Sequence, residues 1–235
     1  MITRQPGSAS IEQPTYWWYR ARSELLRAAL GDQVGHPARL LDVGSADGPS
    51  VSWLRAPQHA ALDVDPRGLR SGTGVCASAL ALPFADASFD LVCAFDVIEH
   101  CEPDSDVLAE FSRVLVPGGR LLISVPAYQW AWTDHDLRAG HYRRYTRTTL
   151  VRAVEEAGYA VRRASYGFAG VFPFFVAERV ARRLRPSNDP GGKLPEVPSA
   201  VERVFLGLSS AEARVLARRD LPFGSSVFLS ADKAV

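Results

Sequence analysis

The chain has 235 residues, of which 47% are hydrophobic and 23% charged, and it carries a net charge of +1. That is enough apolar material for one α/β domain, 1–235, with an elaboration, and too weak a positive field to recruit nucleic acid. No apolar run reaches the roughly 18 residues of a membrane span. Cys76, Cys93 and Cys101 are odd in number and lack metal-ligand spacing, and the first residues lack the apolar core of a signal peptide, so a reducing, cytoplasmic setting is expected.

Residues 1–13 are polar. Thr15 is placed to cap a helix that Gly31 ends, with Trp18, Ala21, Leu25, Ala28 and Ala29 at helical spacing. This N-terminal element, 12–31, opens with Tyr16-Trp17-Trp18-Tyr19, too many aromatics for one face. It reads either as core packing on a sheet or as a lid over a ligand. Strands are predicted at 39–43, 60–64, 75–78, 88–96 and 120–125. The fourth is almost continuously apolar, as a strand buried on both faces should be. A helix from about Asp104 puts Val107, Leu108, Phe111, Val114 and Leu115 on one face, and Pro117-Gly118-Gly119 turns the chain. After a long loop, Thr146 or Thr148 caps a further helix, which Gly158 ends. Strands follow at 159–165 and 224–231. Between them lies an insertion, 166–223. It holds an aromatic stretch, then Arg179, Arg182, Arg183 and Arg185, a Pro/Gly-rich linker over 186–198 and a helix over 200–218. Alternating strands and helices predict a doubly wound, mostly parallel sheet, with right-handed crossovers placing the carboxyl ends of the strands on one edge.

The chain turns on Leu40-Leu41-Asp42-Val43-Gly44-Ser45-Ala46-Asp47-Gly48-Pro49-Ser50: a strand, a small-residue turn and a helix start. Gly44 and Gly48 permit a tight turn and close backbone approach to a ligand, and Pro49 suits a first helical turn. Asp63 ends the second strand, where a carboxylate can accept from both hydroxyls of a ribose. Asp42, Gly44, Asp63, Ser78 and Asp96 all fall on the same edge. A pyrophosphate seat would need Gly-x-Gly-x-x-Gly and a free helix N-terminus. Here Ala46 and Pro49 hold the second and third glycine positions, and Asp42 and Asp47 crowd carboxylates where the anion would sit. The turn therefore disfavours a nicotinamide dinucleotide and favours a ligand with a cationic end.

In their order along the chain, Leu41-Asp42-Val43-Gly44-Ser45-Ala46-Asp47-Gly48, Leu62-Asp63-Val64-Asp65, Leu82-Pro83-Phe84, Ser88-Phe89-Asp90-Leu91-Val92, Asp96-Val97-Ile98-Glu99-His100 and Arg113-Val114-Leu115-Val116-Pro117-Gly118-Gly119 resemble the motifs of class I S-adenosylmethionine-dependent methyltransferases over residues 39–126. The resemblance implies a Rossmann-like sheet of seven strands, the last antiparallel, and S-adenosyl-L-methionine as cofactor. It implies that Asp42, Gly44, Ser45, Ala46, Asp47 and Gly48 surround the methionine part, and that Asp63 and Val64 meet the ribose. Ser78, Ala79 and Leu80 would border the adenine, and Phe95 and Asp96 the sulfonium. If the N-terminal helix is a lid, Arg22 sits near the cofactor carboxylate. Ala46 departs from a commoner glycine, and Ser78 from an Asp that bonds the adenine amino group. The stretches Tyr16-Trp17-Trp18-Tyr19-Arg20-Ala21-Arg22 and Asp136-x-x-x-Gly140-His141-x-Arg143-Arg144-Tyr145-Thr146 are similar to a subgroup of small-molecule methyltransferases, without naming an acceptor.

The loop to Tyr145 carries the densest polar set in the chain. His141, His100 or His135 is the candidate base. Tyr128, Trp130, Arg143, Arg144 and Tyr145 are candidate acceptor contacts, the arginines gripping an anion. The competing reading is an Asp–Arg–Tyr network that fixes the loop. His135, Asp136 and His141 fit no helical ligand pair, so no metal is expected. The insertion reads as an extra helical layer, an acceptor lid, a dimer face or a peripheral membrane contact. The expected reaction is methyl transfer to a small-molecule or lipid-like acceptor, at oxygen, because histidine supplies a base near neutral pH. An idle cofactor-binding module and an NAD-dependent reductase are the alternatives.

Overall fold

The computed structural model describes residues 11, 13–45, 48, 51–69, 74–184 and 197–234. The expectations for Ala46, Asp47, Pro49, Ser50 and Arg185, and for the linker up to residue 196, lie outside the described residues.

Strands β1 (Arg39–Val43), β2 (Gln58–Asp63), β3 (Gly74–Cys76), β4 (Phe89–Phe95), β5 (Leu115–Pro126), β6 (Tyr159–Gly167) and β7 (Ser226–Lys233) form one sheet in the order β3-β2-β1-β4-β5-β7-β6. The first five run parallel to one another, and β7 runs antiparallel between β5 and β6. The apolar run of β4 is buried from Leu91 to Ala94, as a central strand covered on both faces must be. β5 starts earlier than expected. Leu115 pairs with Phe89, residues 116–119 then bulge out, and the ladder resumes at Leu91 and Arg120. The Pro117-Gly118-Gly119 turn thus survives as a bulge within the strand.

Helices α1 (Trp17–Val34), α2 (Asp104–Val114), α3 (Asp134–Ala139), α4 (Arg147–Glu156), α5 (Phe172–Leu184) and α6 (Ser199–Leu216) pack around the sheet. Val107, Leu108 and Phe111 of α2 and Leu150 and Val154 of α4 join one core; Leu25, Leu26 and Leu30 of α1 and Leu216 of α6 join the other. Thr146 caps α4 as expected, its hydroxyl accepting from Thr149 N–H at 3.1 Å. The N-terminal helix corrects its prediction at both ends. Its N-cap is Tyr16, with no side-chain cap bond, and the helix runs through Gly31 to Val34 before Gly35 turns at φ +66°. Val51–Trp53 is a turn where a helix was expected after the first strand.

The insertion adds a helical layer beside α1. Trp17 meets Phe205 with ring centroids 4.9 Å apart, and Ser210 Oγ donates to Glu24 at 2.9 Å. So α1 lies mainly in the core, and its first turns reach the carboxyl edge of the sheet.

Candidate active site

Each parallel strand delivers one polar group or tight turn to that edge. After β1, Gly44 adopts φ +72°, and a Cβ there would sit 2.5 Å from Val97 Cγ2; glycine is required on both counts. The N–H groups of Gly44 and Ser45 donate to Leu62 O at 2.7 and 3.2 Å, binding the turn to β2. Asp63 is buried at the end of β2, and its Oδ1 accepts from Asp65 N–H at 2.8 Å. Past β3, Ser78 Oγ accepts from Leu80 N–H at 3.2 Å. One lone pair expected for an adenine amino group is therefore engaged in a turn. Val64 and Leu80 are exposed large apolar side chains on either side of this corner, while Ala79 is buried. Flat apolar ligands are held by such surfaces.

Asp42 is fully buried, and its Oδ2 has no hydrogen-bond partner. Burial, and then the charge of Asp63, raise its pKa to about 7 against the pull of Ser45 and Arg22. The expected standing negative charge is thus conditional on pH or on a nearby cation. A ligand bearing ammonium and sulfonium groups would stabilise the carboxylate and draw off its proton. Cofactor affinity should accordingly rise from about pH 6 to about pH 8 and then level, by at most about tenfold per pH unit. Calorimetry across that range checks this: Asp42→Asn should flatten the profile, and a flat wild-type profile would refute it.

β4 ends at Phe95, and Asp96 follows at φ +57°, a left-handed conformation that costs a non-glycine residue about 1–3 kcal/mol. Neighbours hold it there. Asp96 N–H donates to Ser124 O at 2.8 Å, and its carboxylate accepts from Ser124 Oγ at 3.0 Å and pairs with Arg22 at 2.9 Å. Arg22 is buried, also donates to Ser124 Oγ at 2.9 Å, and lies over Trp18 at 5.0 Å. The α1 helix thus does bring Arg22 to the ligand edge, engaged by Asp96.

The acceptor side is built on the loop after β5. Asp136 is fully buried in α3, and its Oδ1 meets His141 Nδ1 at 2.9 Å and Arg144 Nε at 2.7 Å. Those partners, with Thr133 N–H donating to Oδ2 at 2.8 Å, hold its carboxyl well below the usual range despite burial. Gly140 caps α3 at φ +77° and delivers His141 back to Asp136. The His141 ring stands edge-on to His100 at 4.6 Å. His100 is open to the cleft but ringed by protein; desolvation, then His141, lower its pKa to about 4, so it is neutral at pH 7. His135 sits on α3 with an exposed surface, apart from the Asp136–His141 contact.

The expected arginine grip on an anionic acceptor is corrected. Arg144 is committed to Asp136, and Arg143 pairs with Glu102 and, at 2.9 Å, with Asp104. Tyr145 donates to Asp104 at 2.7 Å. These three residues form the Asp–Arg–Tyr network that fixes the loop. Because Asp136 and Arg144 are both buried, Arg144→Met would strand a carboxylate; we expect a loss of about 3 kcal/mol in urea unfolding. Loss below 1 kcal/mol would show the pair to be dispensable.

Tyr128 and Trp130 join an aromatic cluster after β5. Tyr128 stacks on Trp130 at 5.6 Å and on Tyr166 at 5.3 Å, and Trp130 meets Phe175 of α5 at 6.3 Å. Four contributors escaped the sequence reading. Tyr166 and Phe172 complete the aromatic wall. Arg179, named beforehand only as one of the insertion's arginines, donates to Thr133 Oγ1 at 2.8 Å. Glu99 is fully buried, with both carboxylate oxygens lacking hydrogen-bond partners. Burial, and then the Asp96 charge, hold its pKa well above the usual carboxylate range. One ligand atom each from Glu99, His100 and His141 lie within 4.8 Å of one another, a convergence that the spacing of His135, Asp136 and His141 did not foretell.

A parallel sheet with an antiparallel seventh strand and a ligand edge of this kind defines the Rossmann-like methyltransferase fold. Residues 41–123 match the family described as methyltransferase domain, and that match, with the fold, supports a class I S-adenosylmethionine-dependent methyltransferase using S-adenosylmethionine as cofactor. The biotin biosynthesis bifunctional protein BioHC of Cellvibrio japonicus is 34% identical over 51% of this chain and 27% of its own length. Malonyl-[acyl-carrier protein] O-methyltransferase of Pseudescherichia vulneris is 31% identical over 57% of this chain and 59% of its own. The chain therefore spans less than two thirds of either curated relative. The methyltransferase solved with the Haloferax volcanii Trm112 activator is similar in fold, with a TM-score of 0.61 at 19% identity, covering 97% of this chain and 94% of that one.

Proposed function

We propose that the protein transfers the methyl group of S-adenosylmethionine to an oxygen of a small, lipid-like acceptor. The observation that carries this reading is the buried Asp136 carboxylate 2.9 Å from His141 Nδ1. With Nδ1–H donating to Asp136, Nε2 holds the lone pair. The sulfonium is already an activated leaving group, so the protein must align methyl and acceptor and take one proton. His141 takes the hydroxyl proton as the oxygen attacks the methyl carbon. S-adenosylmethionine, when bound, would supply the methyl group and leave as S-adenosylhomocysteine, while Asp136 stabilises the imidazolium. His100, neutral beside it, lines the path. The aromatic wall of Tyr128, Trp130, Tyr166, Phe172 and Phe175 suits an apolar acceptor body, and the relative named an O-methyltransferase supports oxygen as the acceptor atom.

The test is S-adenosylhomocysteine release with phenolic and long-chain hydroxy or carboxylic acceptors, using a deuterated methyl donor. Deuterium should appear on oxygen. Label on nitrogen or carbon would overturn the oxygen assignment. No release with any acceptor, while cofactor still binds, would favour an idle cofactor-binding module.

A further inference from the structure

Among the described residues, six of the eleven exposed large apolar side chains belong to the insertion: Phe174, Val180, Val201, Val204, Val215 and Phe223. They are not scattered. On α6, Val201, Val204 and Val215 follow one outward stripe, continued by exposed Ala211 at helical spacing. On α5, Phe174 is 54% exposed and meets Phe205 of α6 at 5.2 Å, a contact that links the exposed apolar side chains of the two helices. Single exposed apolar residues need no explanation, but a contiguous face does.

The charge around this face is one-sided. Arg182, Arg183, Arg203, Arg214, Arg218 and Arg219 are exposed. The acids on the same elements are already engaged. Glu178 pairs with Arg179 and Arg182, Glu202 with Arg20, and Asp220 with Arg163, while Glu212 is buried and accepts from Gly170 N–H. A second copy of the chain packed on this face would set arginine against arginine. An anionic lipid surface meets both demands, taking the apolar stripe into its interface and the arginines at its headgroups. No helix among the described residues is long and apolar enough to cross a membrane, so the contact is one of lying on the surface.

The face also adjoins the acceptor wall. Phe172 and Phe175 of α5 meet Tyr128 and Trp130, while Phe174, on the same helix, turns to α6. We infer that the outer face of α5 and α6 docks the protein on an anionic membrane, from which the aromatic wall receives its acceptor. This rests on the lipid-like acceptor of the function proposed above and names where that acceptor resides.

Co-sedimentation of the full chain with vesicles tests it. Binding is expected to phosphatidylcholine vesicles that contain phosphatidylglycerol, to weaken with salt, and to be slight on phosphatidylcholine alone. Arg203→Glu with Arg214→Glu should weaken it by about tenfold or more, and Val201→Ser with Val204→Ser should also lower it. These side chains are exposed and outside the site, so cofactor affinity and thermal unfolding should be unchanged. Equal binding to both vesicle types, or none, would overturn the inference. So would a stable dimer that Val204→Ser dissociates, which would give the face to a second copy. Methyl transfer to a soluble oxygen acceptor without vesicle binding would sink the docking face alone; vesicle binding without any transfer would sink the reaction alone.

Discussion

Replacing His141 with alanine should lower turnover by about 100- to 10,000-fold, the range for removing a positioned general base, while cofactor affinity stays within about twofold. The split follows from where the residue sits. The cofactor edge is made by β1 to β4 and the turns after them, whereas His141 follows α3 on the acceptor loop and is held by Asp136. A hydroxyl acceptor must lose a proton as the carbon–oxygen bond forms, and His100, with a pKa of about 4, is a poor substitute. Asp136→Asn provides the second arm. It keeps the shape but removes the charge that stabilises the imidazolium, so turnover should fall by less than in His141→Ala. A His141→Ala enzyme with normal turnover would remove the base and, with it, the oxygen assignment. Turnover rates and cofactor calorimetry on the same preparations decide the matter.

Which parts of this site could be read from sequence depends on how local the physics is. β1 was legible because an apolar run ending in Gly44 admits little else, and α4 because Thr146 is three residues from a backbone donor that it caps. Gly31 misled. A glycine inside a helix costs about 1 kcal/mol relative to alanine, but α1 continues because burial of neighbouring Leu30 in the core outweighs that loss. The true stop, Gly35, is set by its left-handed φ. The loop's polar cluster was visible as composition. Its pairing was not, since Asp136 reaches His141 and Arg144 five and eight positions on, separations with no helical or strand period. Arg179 and Tyr166 were hidden for a different reason. Both come from late in the chain: the insertion's fold brings α5 against Thr133, and the sheet order brings β6 near Tyr128.

Replacing Asp63 with alanine should weaken S-adenosylmethionine binding by about 100- to 10,000-fold. The carboxylate ends β2 and is buried beside the turn of Gly44 and Ser45, whose N–H groups bind the preceding Leu62 carbonyl. A carboxylate offers about four acceptor sites, enough in number to meet two ribose hydroxyls beside Asp65 N–H. Hydrogen bonds to a charged group contribute about 1.5–3 kcal/mol each, so losing two costs about 3–6 kcal/mol, at about 1.4 kcal/mol per tenfold in affinity. Asp63→Asn separates ligand binding from the turn: it retains an acceptor for Asp65 N–H but loses the charge, and should fall between alanine and wild type. A second readout is built in, because the Asp63 charge helps raise the pKa of Asp42. Without it the Asp42 carboxyl should ionise at lower pH, and the rise of residual affinity with pH should shift to the acid side. Affinity within about twofold of wild type would show that the carboxylate does not hold the ribose. A weakened affinity with an unmoved pH profile would retain the ribose contact and break the proposed coupling between the two acids.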